Sequence, residues 1–378
     1  MKILITGAEG FIGKNLVAEL RNIQSGKKKS PLQNIQLLTY DKKESLETLY
    51  EHCRHCDVVV HLAGVNRPQN ESEFFEGNSS FTETLIAFLQ ESDNPARIIA
   101  SSSIQAEMDN PYGKSKRMLE ECLQHYAAKT GAGVDIYRLP NVFGKWSKPN
   151  YNSAIATFCY NLSRDIPITV SNRATRLRLV YVDDVVDELI QALLGKANRE
   201  GDYCKVPVSY QATLGEIVDL LYCFRDMRKD LSVPDVSNDF QKKLYATYLS
   251  FLDAENFSYP LKMNVDARGS FTEIIRSRCA GQFSVNISKP HITKGNHWHH
   301  TKNEKFLVVS GSGVIRFRKI GESAVTEYHV SGDKLEVIDI PVGYTHNIEN
   351  LGDSDMITFM WCNECFNPDK PDTYFEEV

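Results

Sequence analysis

Two groups of polar residues in this sequence have the residue types and the spacing of chemical sites. In the first group, a serine run at 101–103 is followed by Tyr112 and Lys116, which a helix places one turn apart on one face. A nearby ammonium stabilises a phenolate and lowers the pKa of a tyrosine, which suits that side chain to proton transfer. A serine at the end of a strand can hydrogen-bond the substrate oxygen. This group therefore predicts acid–base catalysis, although its spacing alone also fits a solvated helix face.

The second group combines imidazoles with one carboxylate near the end of the chain. His297 and His299 alternate by two, so they point to the same side of a strand. Glu304 follows across a short turn, and His346 comes from a later strand. Three imidazoles and one carboxylate can hold zinc, iron, manganese or nickel, so we predict a metal site with zinc as the first candidate. The alternative is a hydrogen-bonded polar lining without metal. His300 points to the opposite face and is not a predicted ligand.

A glycine motif stands at the beginning of the chain, upstream of the tyrosine and lysine. Residues 2–6 form an apolar strand, and residues 14–22 have helical spacing. Between them lie Gly7, Gly10 and Gly13, which permit a sharp turn, a close approach of a pyrophosphate, and tight packing of helix on strand. The diphosphate then lies on the helix N-terminus. The motif predicts a dinucleotide cofactor, and its presence favours catalysis at Tyr112.

Further strands and helices alternate after this motif. Parallel strands are predicted at 35–40, 57–63, 97–101 and 134–139, with helical patterns between them. This order is typical of an α/β Rossmann-type doubly wound parallel sheet. The second strand ends at the position that contacts the cofactor ribose, where Asp41 favours NAD and Lys42 favours NADP. The residues leave the choice between the two cofactors open.

The pattern changes near residue 250 to short alternating strands. Strands are predicted at 305–310, 313–320, 334–340 and 355–361. They indicate an all-β jelly roll. We therefore predict a dinucleotide-binding α/β domain at 1–250 and an all-β jelly-roll domain at 251–378.

The composition excludes several other classes of function. The 43 basic and 49 acidic residues give a formal net charge of -6, without the basic face that nucleic-acid binding requires. No apolar run is long enough to span a membrane. Nine cysteines without a signal peptide predict reduced thiols and a cytoplasmic location.

Several motifs in the first 245 residues resemble, in order and spacing, the extended short-chain dehydrogenase/reductases that act on nucleotide sugars. They are GAEGFIG at 7–13, HLAGVNRP at 61–68, the serine run, PYGKSK at 111–116, RLPNVFG at 138–144 and YVDDVV at 181–186. The resemblance implies that Ser103, Tyr112 and Lys116 are catalytic. It also implies these cofactor-binding residues: Gly7, Gly10, Phe11, Ile12, Gly13, Asp41, Lys42, Ala63, Tyr112, Lys116 and Asn141.

The C-terminal motifs resemble two branches of the cupin superfamily. HxHxxxxE at 297–304 and PxGxxHxxxN at 341–350 are similar to the metal-binding motifs. DARGSFTE at 266–273 and KGNH at 294–297 resemble the metal-free nucleotide-sugar 3,5-epimerases, in which the matching histidine is the catalytic base. His297 cannot serve as both ligand and base. We favour the ligand role, which leaves the base unassigned among Lys294, His299 and Tyr344.

The two halves together resemble the bifunctional nucleotide-sugar enzymes of capsular polysaccharide synthesis. That resemblance implies a UDP-linked 4-keto-6-deoxy amino sugar as substrate, epimerisation at C3 in the cupin domain, and reduction at C4 with NADPH. Cupin barrels commonly pair, and the aromatic segment at 374–375 could contribute to such an interface, so we predict a homodimer. The alternative is a reductase with a non-catalytic cupin that dimerises or senses the sugar.

Overall fold

The computed structural model describes residues 1–151, 153–261, 264–266, 269–271, 281–364 and 369–378. Strands and helices alternate through the first 250 residues. The strands of this part are β1 (Lys2–Thr6), β2 (Gln36–Tyr40), β3 (Val58–His61), β4 (Arg97–Ser103), β5 (Val134–Leu139), β6 (Asn141–Phe143), β7 (Arg176–Tyr181), β8 (Arg199–Glu200), β9 (Tyr203–Cys204) and β10 (Tyr210–Thr213). The α-helices are α1 (Phe11–Gln24), α2 (Leu46–His55), α3 (Ser72–Phe75), α4 (Phe81–Glu91), α5 (Pro111–Thr130), α6 (Ala154–Leu162), α7 (Val182–Leu193), α8 (Leu214–Asp230) and α9 (Asp239–Leu249).

A seven-stranded sheet forms the centre of the N-terminal part, in the order β2-β1-β3-β4-β5-β9-β8. Neighbouring strands from β2 to β9 are parallel, and β8 adds an antiparallel edge. Alternate residues of β1 enter different cores: Ile3 and Ile5 pack in the core that includes α1 and α7, while Leu4 packs in the core that includes α4 and α5. Helices thus cover both faces, and the predicted doubly wound parallel sheet is confirmed.

The order of the strands determines where a ligand can bind. The chain passes from β1 to β2 on one side and then crosses to β3 on the other side of β1. Ligands of open α/β sheets bind at the carboxyl ends of strands where the order reverses in this way. The glycine motif follows β1 at this point, and Ala63 follows β3.

The C-terminal part consists mostly of antiparallel strands. They are β11 (Ser258–Pro260), β12 (Asn264–Asp266), β13 (Gly269–Phe271), β14 (Gln282–Ser288), β15 (Thr293–Trp298), β16 (Glu304–Ser310), β17 (Ser312–Lys319), β18 (Val325–Ser331), β19 (Glu336–Ile340), β20 (Tyr344–Asn350), β21 (Met356–Cys362) and β22 (Tyr374–Phe375). Two five-stranded sheets have the orders β11-β19-β16-β21-β14 and β18-β17-β20-β15-β22. The consecutive strands β16 and β17 belong to different sheets, as in a sandwich or jelly roll.

The chain forms two compact units. The first contains residues 1–153 and 177–212, and the second contains residues 154–176 and 213–378. Helices α8 and α9 therefore lie in the same unit as the antiparallel sheets. A buried ion pair between Arg228 of α8 and Asp339 of β19 is part of this packing. The predicted domain boundary at residue 250 stays a proposal.

Three further observations concern membrane spans, cysteines and the segment DARGSFTE. Within the described ranges, no helix combines the length and apolar character needed to cross a membrane. The cysteines among those residues are free thiols, and several of them are buried. The segment DARGSFTE lies partly outside the described residues, so its predicted epimerase-like role has no structural counterpart here.

Candidate active site and metal centre

The glycine motif forms a tight loop between β1 and α1. Gly7 has φ 70, and a Cβ on it would lie 2.7 Å from the backbone nitrogen of Ala63. A Cβ on Gly13 would lie 2.1 Å from the carbonyl oxygen of Gly7. Gly10 is the N-cap of α1 and offers no side-chain acceptor, so first-turn N–H groups such as those of Phe11 and Ile12 can face a ligand. The loop therefore fits a cofactor diphosphate at the helix N-terminus.

Asp41 follows β2 beside this loop. Its Oδ2 accepts a hydrogen bond from the N–H of Glu9 at 3.0 Å, and its Oδ1 accepts one from the N–H of Lys42 at 2.8 Å. The Asp41 carboxylate thus anchors the glycine loop through a hydrogen bond, and it also lies at the predicted ribose position. Lys42 and Lys43 are exposed next to it. Asp41 can accept a hydrogen bond from the ribose 2'-hydroxyl of NAD, and the two lysines can bind the 2'-phosphate of NADP. The geometry therefore suits either nicotinamide cofactor.

Tyr112 lies at the beginning of α5, which starts with Pro111 after the capping residue Asn110. The Asn110 Oδ1 accepts from the N–H of Gly113 at 2.8 Å, which fixes the first turn. Burial raises the pKa of Tyr112, and a hydrogen bond with Ser103 opposes that rise. The structure therefore brings Ser103 and Tyr112 together. The sequence predicted a lowered pKa for this tyrosine; burial outweighs the lowering influences in the structure.

Lys116 lies one turn further along α5 and is only 4% exposed. Its Nζ donates to the carbonyl oxygen of Ser101 at 3.4 Å. Burial lowers the pKa of Lys116 to about 8, against the raising influence of Glu120. The ammonium of this lysine is thus poised to titrate near pH 8, one helical turn from Tyr112.

Asn78 was not predicted from the sequence, yet it connects two parts of this site. It lies in a π-helical turn (Glu76–Ser80) and is fully buried. Its Oδ1 accepts from the N–H of Val65 at 3.0 Å, and its Nδ2 donates to Ser115 Oγ at 3.0 Å. A Cβ on Gly64 would lie 2.7 Å from Asn78 Oδ1 and 3.1 Å from Lys116 Nζ. Both side-chain atoms therefore lie close to Gly64. The only sequence signal was a polar residue on the apolar face of a helical pattern.

Two more buried polar groups flank Lys116. His61 lies between the hydroxyls of Thr6 and Thr82, at 2.7 and 2.9 Å from its two ring nitrogens. Burial, together with the charge of Lys116, lowers the pKa of His61 to about 3, so this imidazole is neutral. Glu120 accepts from Ser102 Oγ at 2.5 Å.

Asn141, which was predicted to contact the cofactor and substrate, is exposed on β6 and donates to the carbonyl oxygen of Arg178 at 3.2 Å.

The four predicted metal ligands converge inside the C-terminal part. One ligand atom from each of His297, His299, Glu304 and His346 can be chosen so that all four atoms lie within 4.8 Å of one another. The ligands come from both sheets: β15 and β20 belong to one, and β16 belongs to the other. His297 and His346 are directly opposite each other in the pairing of β15 with β20. His300 instead packs against Trp298 and Tyr374, as its predicted direction requires.

Three residues of this cluster have buried ligand atoms without a hydrogen-bond partner in the described part of the chain. His299 Nε2, Glu304 Oε2 and both ring nitrogens of His346 are buried without a hydrogen bond from the chain. The Glu304 Oε2 lies 3.5 Å from His299 Nε2 and 3.4 Å from His346 Nε2. Burial of such atoms is costly unless another ligand satisfies them, so the cluster fits a bound cation.

The charges of His297 and Glu304 suit a cation. In His299, burial lowers the pKa, but the nearby Glu304 carboxylate outweighs burial and the net shift is upward. Burial and the two other imidazoles lower the pKa of His297 to about 3, which keeps its ring neutral and able to coordinate. The pKa of Glu304 is lowered well below its usual value, since the influence of the His299 and His346 rings exceeds the opposing effect of burial. A neutral imidazole and an ionised carboxylate are the forms that bind zinc.

The candidates for the unassigned base lie at different places around this cluster. Lys294 Nζ donates to Asn286 Oδ1 at 2.9 Å and to the carbonyl oxygen of Ile287 at 2.7 Å. Tyr344 packs edge-on against Phe257, with ring centroids 5.1 Å apart, and burial raises its pKa to about 12. His299 belongs to the cluster itself.

Comparison with known proteins extends over both parts of the chain. Residues 3–204 match the NAD dependent epimerase/dehydratase family, and residues 264–374 match the polysaccharide biosynthesis C-terminal domain. A UDP-2-acetamido-2,6-beta-L-arabino-hexul-4-ose reductase from Pseudomonas aeruginosa is 43% identical over 374 residues, covering 99% of this chain and 98% of the relative.

Two solved structures illustrate the similarity in fold. The capsular polysaccharide assembling protein CapF from Staphylococcus aureus is 54% identical, with full coverage of both chains and a TM-score of 0.68. The UDP-glucuronic acid 4-epimerase from Bacillus cereus, solved in complex with NAD, is 20% identical, with a TM-score of 0.51. It covers 59% of this chain and 84% of its own, and at this identity it shows the shared fold alone.

Proposed function

The chain belongs to the NAD dependent epimerase/dehydratase family, and from this premise we propose that it reduces the C4 ketone of a UDP-linked 2-acetamido-2,6-dideoxy-hexulose. The observation that carries the proposal is the meeting of Ser103 with Tyr112, one turn from Lys116 and downstream of the glycine loop. The 43% identity to a reductase of such a 4-keto sugar, over nearly the whole of both chains, supports this substrate class.

Each catalytic residue has a distinct part in the reduction. Ser103 donates a hydrogen bond to the carbonyl oxygen at C4, and Tyr112 gives that oxygen its proton. The ammonium of Lys116 stabilises the phenolate that remains on Tyr112. When bound, the nicotinamide supplies the hydride. The loop from Gly7 to Gly13, with Ala63 opposite, would hold the cofactor diphosphate, and Asp41, Lys42 and Asn141 would contact other parts of the cofactor. Lys42 and Lys43 support NADPH as the reductant.

We further propose that the C-terminal barrel is a cupin that epimerises C3 of the same sugar. A 4-ketone acidifies the proton on C3, so the barrel needs a base and a group that stabilises the negative charge developing on the oxygen. The residues that would hold a cation are His297, His299, Glu304 and His346. When bound, zinc supplies the positive charge for this purpose. Subsequent reduction removes the ketone and traps the epimer, which gives a chemical reason for combining both activities in one chain.

This pair of reactions defines a place in capsule synthesis. The product would be UDP-2-acetamido-2,6-dideoxy-L-talose, a precursor in the UDP-L-FucNAc pathway. The similarity to a capsular polysaccharide assembling protein supports this assignment. The free thiols of the described residues fit a reducing compartment, and we propose that the reaction takes place in the cytoplasm.

We also propose that the chain forms a homodimer. On the edge strand β14, Phe283, Val285 and Ile287 are 50, 54 and 55% exposed, and they form an alternating apolar row. Such a row favours association with a second copy of the chain. Tyr374, which the sequence suggested for the interface, is buried against Trp298, so only Phe375 of that segment is available. Light scattering at micromolar concentration should give twice the monomer mass, and a monomer would reject the dimer.

The reductase assignment is tested with the purified chain, NADPH and the UDP-linked 4-keto sugar. Oxidation of NADPH should be measurable for the wild type and about 100- to 10,000-fold slower for Tyr112→Phe. Tyr50→Phe, which changes a remote half-buried ring, is the matched control and should retain wild-type turnover. A Tyr112→Phe variant with unchanged turnover would contradict the assignment.

The rival function is a reductase whose barrel only dimerises or senses sugar. The exposed row on β14 fits that reading as well as it fits a catalytic barrel. Isotope exchange at C3 distinguishes the two, because a non-catalytic barrel leaves that position unchanged.

A further inference from the structure

The C-terminal segment at 371–375 lies against β15 and the loop that follows it, which carry the predicted metal ligands His297 and His299. In the pairing of β22 with β15, Tyr374 is opposite Trp298, and Phe375 is opposite His297. The rings of Tyr374 and Trp298 have centroids 5.6 Å apart. The segment therefore returns from about 70 residues further along the chain and closes over the ligand loop.

Within this segment, Asp372 contacts His299 directly. The backbone oxygen of Asp372 lies 2.6 Å from His299 Nδ1. A carbonyl oxygen only accepts hydrogen bonds, so Nδ1 carries the proton and donates it in this bond. In the neutral ring this bond places the lone pair of His299 on Nε2, the atom that lies 3.5 Å from Glu304 Oε2. This contact selects both the tautomer and the ring direction that metal binding requires.

The side chain of Asp372 holds the rest of the loop. Its Oδ1 accepts from the N–H of His300 at 3.0 Å. Its Oδ2 accepts from the N–H of Thr301 at 2.8 Å and the N–H of Lys302 at 2.7 Å, and from Thr301 Oγ1 at 3.0 Å. One carboxylate thus gathers three consecutive backbone N–H groups directly after His299.

Asp372 is itself held from both sides. Lys302 Nζ donates to the carbonyl oxygen of Pro371 at 3.2 Å and to Thr373 Oγ1 at 2.9 Å. Asp372 has φ 40, a left-handed conformation that Asp and Asn adopt more readily than most other residues. The contacts of the loop therefore fix a backbone conformation that aims the Asp372 carbonyl at His299.

We propose that Asp372 is a positioning residue for a divalent cation, and that it acts by orienting His299 through the C-terminal segment. The inference rests on the proposed metal centre. Outer contacts that orient a metal-bound histidine typically contribute about 10- to 100-fold to metal affinity. Loss of Asp372 therefore weakens zinc binding by this factor while all four ligands remain in the chain.

The test is a double-mutant cycle on the full-length protein, with zinc affinity measured by competition against a chromophoric chelator. Asp372→Ala should raise the zinc dissociation constant about 10- to 100-fold. In a His299→Ala background the same substitution should change it little, because the residue through which Asp372 acts is absent. Asp353→Ala, which removes an exposed carboxylate, is the control and should bind zinc like the wild type.

Two further measurements separate positioning from a general loss of structure. Asp372→Asn tolerates the left-handed conformation and keeps one acceptor oxygen, so its loss of affinity should be smaller than that of Asp372→Ala. Cobalt(II) absorption should show an altered ligand field in Asp372→Ala and an unaltered one in Asp353→Ala. Circular dichroism of each variant reports whether it folds.

The possible outcomes have different consequences. Wild-type affinity in both Asp372 variants would overturn the role of Asp372 and leave the metal centre intact. An equal loss in the wild-type and His299→Ala backgrounds would also overturn it, since Asp372 would then act on the fold. A wild-type chain that binds no zinc would overturn the metal centre and this inference with it, without touching the reductase.

Discussion

Lys305 and Asp339 form a buried ion pair on neighbouring strands, with Nζ and Oδ1 2.5 Å apart. The same carboxylate also receives Arg228 from α8. Lys305 follows Glu304 in β16, and successive side chains of a strand point to opposite faces. One face of β16 therefore carries the predicted metal ligand Glu304. The other face carries Lys305, which belongs to the ion-pair network that reaches α8. The packing of the helix and the position of the predicted metal ligand therefore depend on one strand.

Removal of Asp339 should destabilise the chain strongly. Asp339→Ala leaves a buried ammonium and a largely buried guanidinium without their partner, which typically costs about 3–5 kcal/mol in the free energy of unfolding. Urea denaturation followed by circular dichroism measures this loss. Asp353→Ala is the matched control, since its side chain is fully exposed, and its unfolding midpoint should stay unchanged. Equal midpoints for the two variants would contradict a stabilising role of the network.

The reductase should lose activity as the pH rises through about 8. Burial lowers the pKa of Lys116 to about 8, so above that pH its ammonium is lost. Tyr112, whose pKa is raised above 10.0, stays protonated there. We expect kcat/KM to fall about tenfold per pH unit on the alkaline side. Lys114→Ala, which removes an exposed lysine of the same helix, should keep this profile. A fall that begins only above pH 10 would assign the titration to another group.

Lys116 also affects how the stability of the folded chain depends on pH. Its pKa in the folded chain is below the ordinary 10.5, so the folded state binds fewer protons than the unfolded state between about pH 8 and 10.5. The contribution of Lys116 to stability therefore rises with pH through that window. Comparison of the wild type with Lys116→Met by urea denaturation at pH 7 and pH 10 isolates this contribution.

Substitution of Gly13 should abolish cofactor binding. The added Cβ of Gly13→Ala would lie 2.1 Å from the Gly7 carbonyl oxygen, so the glycine loop must move away from the position that accepts a diphosphate. Fluorescence titration with NADPH measures the affinity. Gly133→Ala is the control, because the nearest atom to its Cβ is 3.4 Å away, and this variant should bind like the wild type. Undiminished binding by Gly13→Ala would show that the cofactor lies elsewhere.

Local sequence patterns predicted much of this architecture. The strand predicted at 134–139 has the same limits in the structure, and the strand predicted at 97–101 extends to Ser103. The glycines lie within one loop, and Tyr112 and Lys116 lie one turn apart on one helix. Local backbone geometry determines their relative positions, so the spacing in the sequence was enough to predict them. The alternation of His297 and His299 predicted two of the four residues that converge in the C-terminal part.

Long-range contacts account for what the sequence did not reveal. Asp372 meets His299 only because the chain returns after about 70 residues, and no local periodicity encodes that return. Asn78 is oriented by a π-helical turn, which has no recognisable pattern in a single sequence. Arg228 reaches Asp339 from a helix about 110 residues earlier. Such pairings follow from tertiary packing, which overrides local propensity.

We propose that one chain both epimerises C3 and reduces C4 of a keto sugar, and isotope exchange at C3 is the decisive measurement for this proposal. Wild type and Tyr112→Phe are incubated with the UDP-linked 4-keto sugar in heavy water without NADPH, and the recovered sugar is analysed by NMR and mass spectrometry. We predict deuterium at C3 with both proteins, and none with His346→Ala, which lacks a predicted ligand of the barrel. A wild-type chain that introduces no deuterium at C3 would contradict the epimerase and leave a reductase with a non-catalytic barrel.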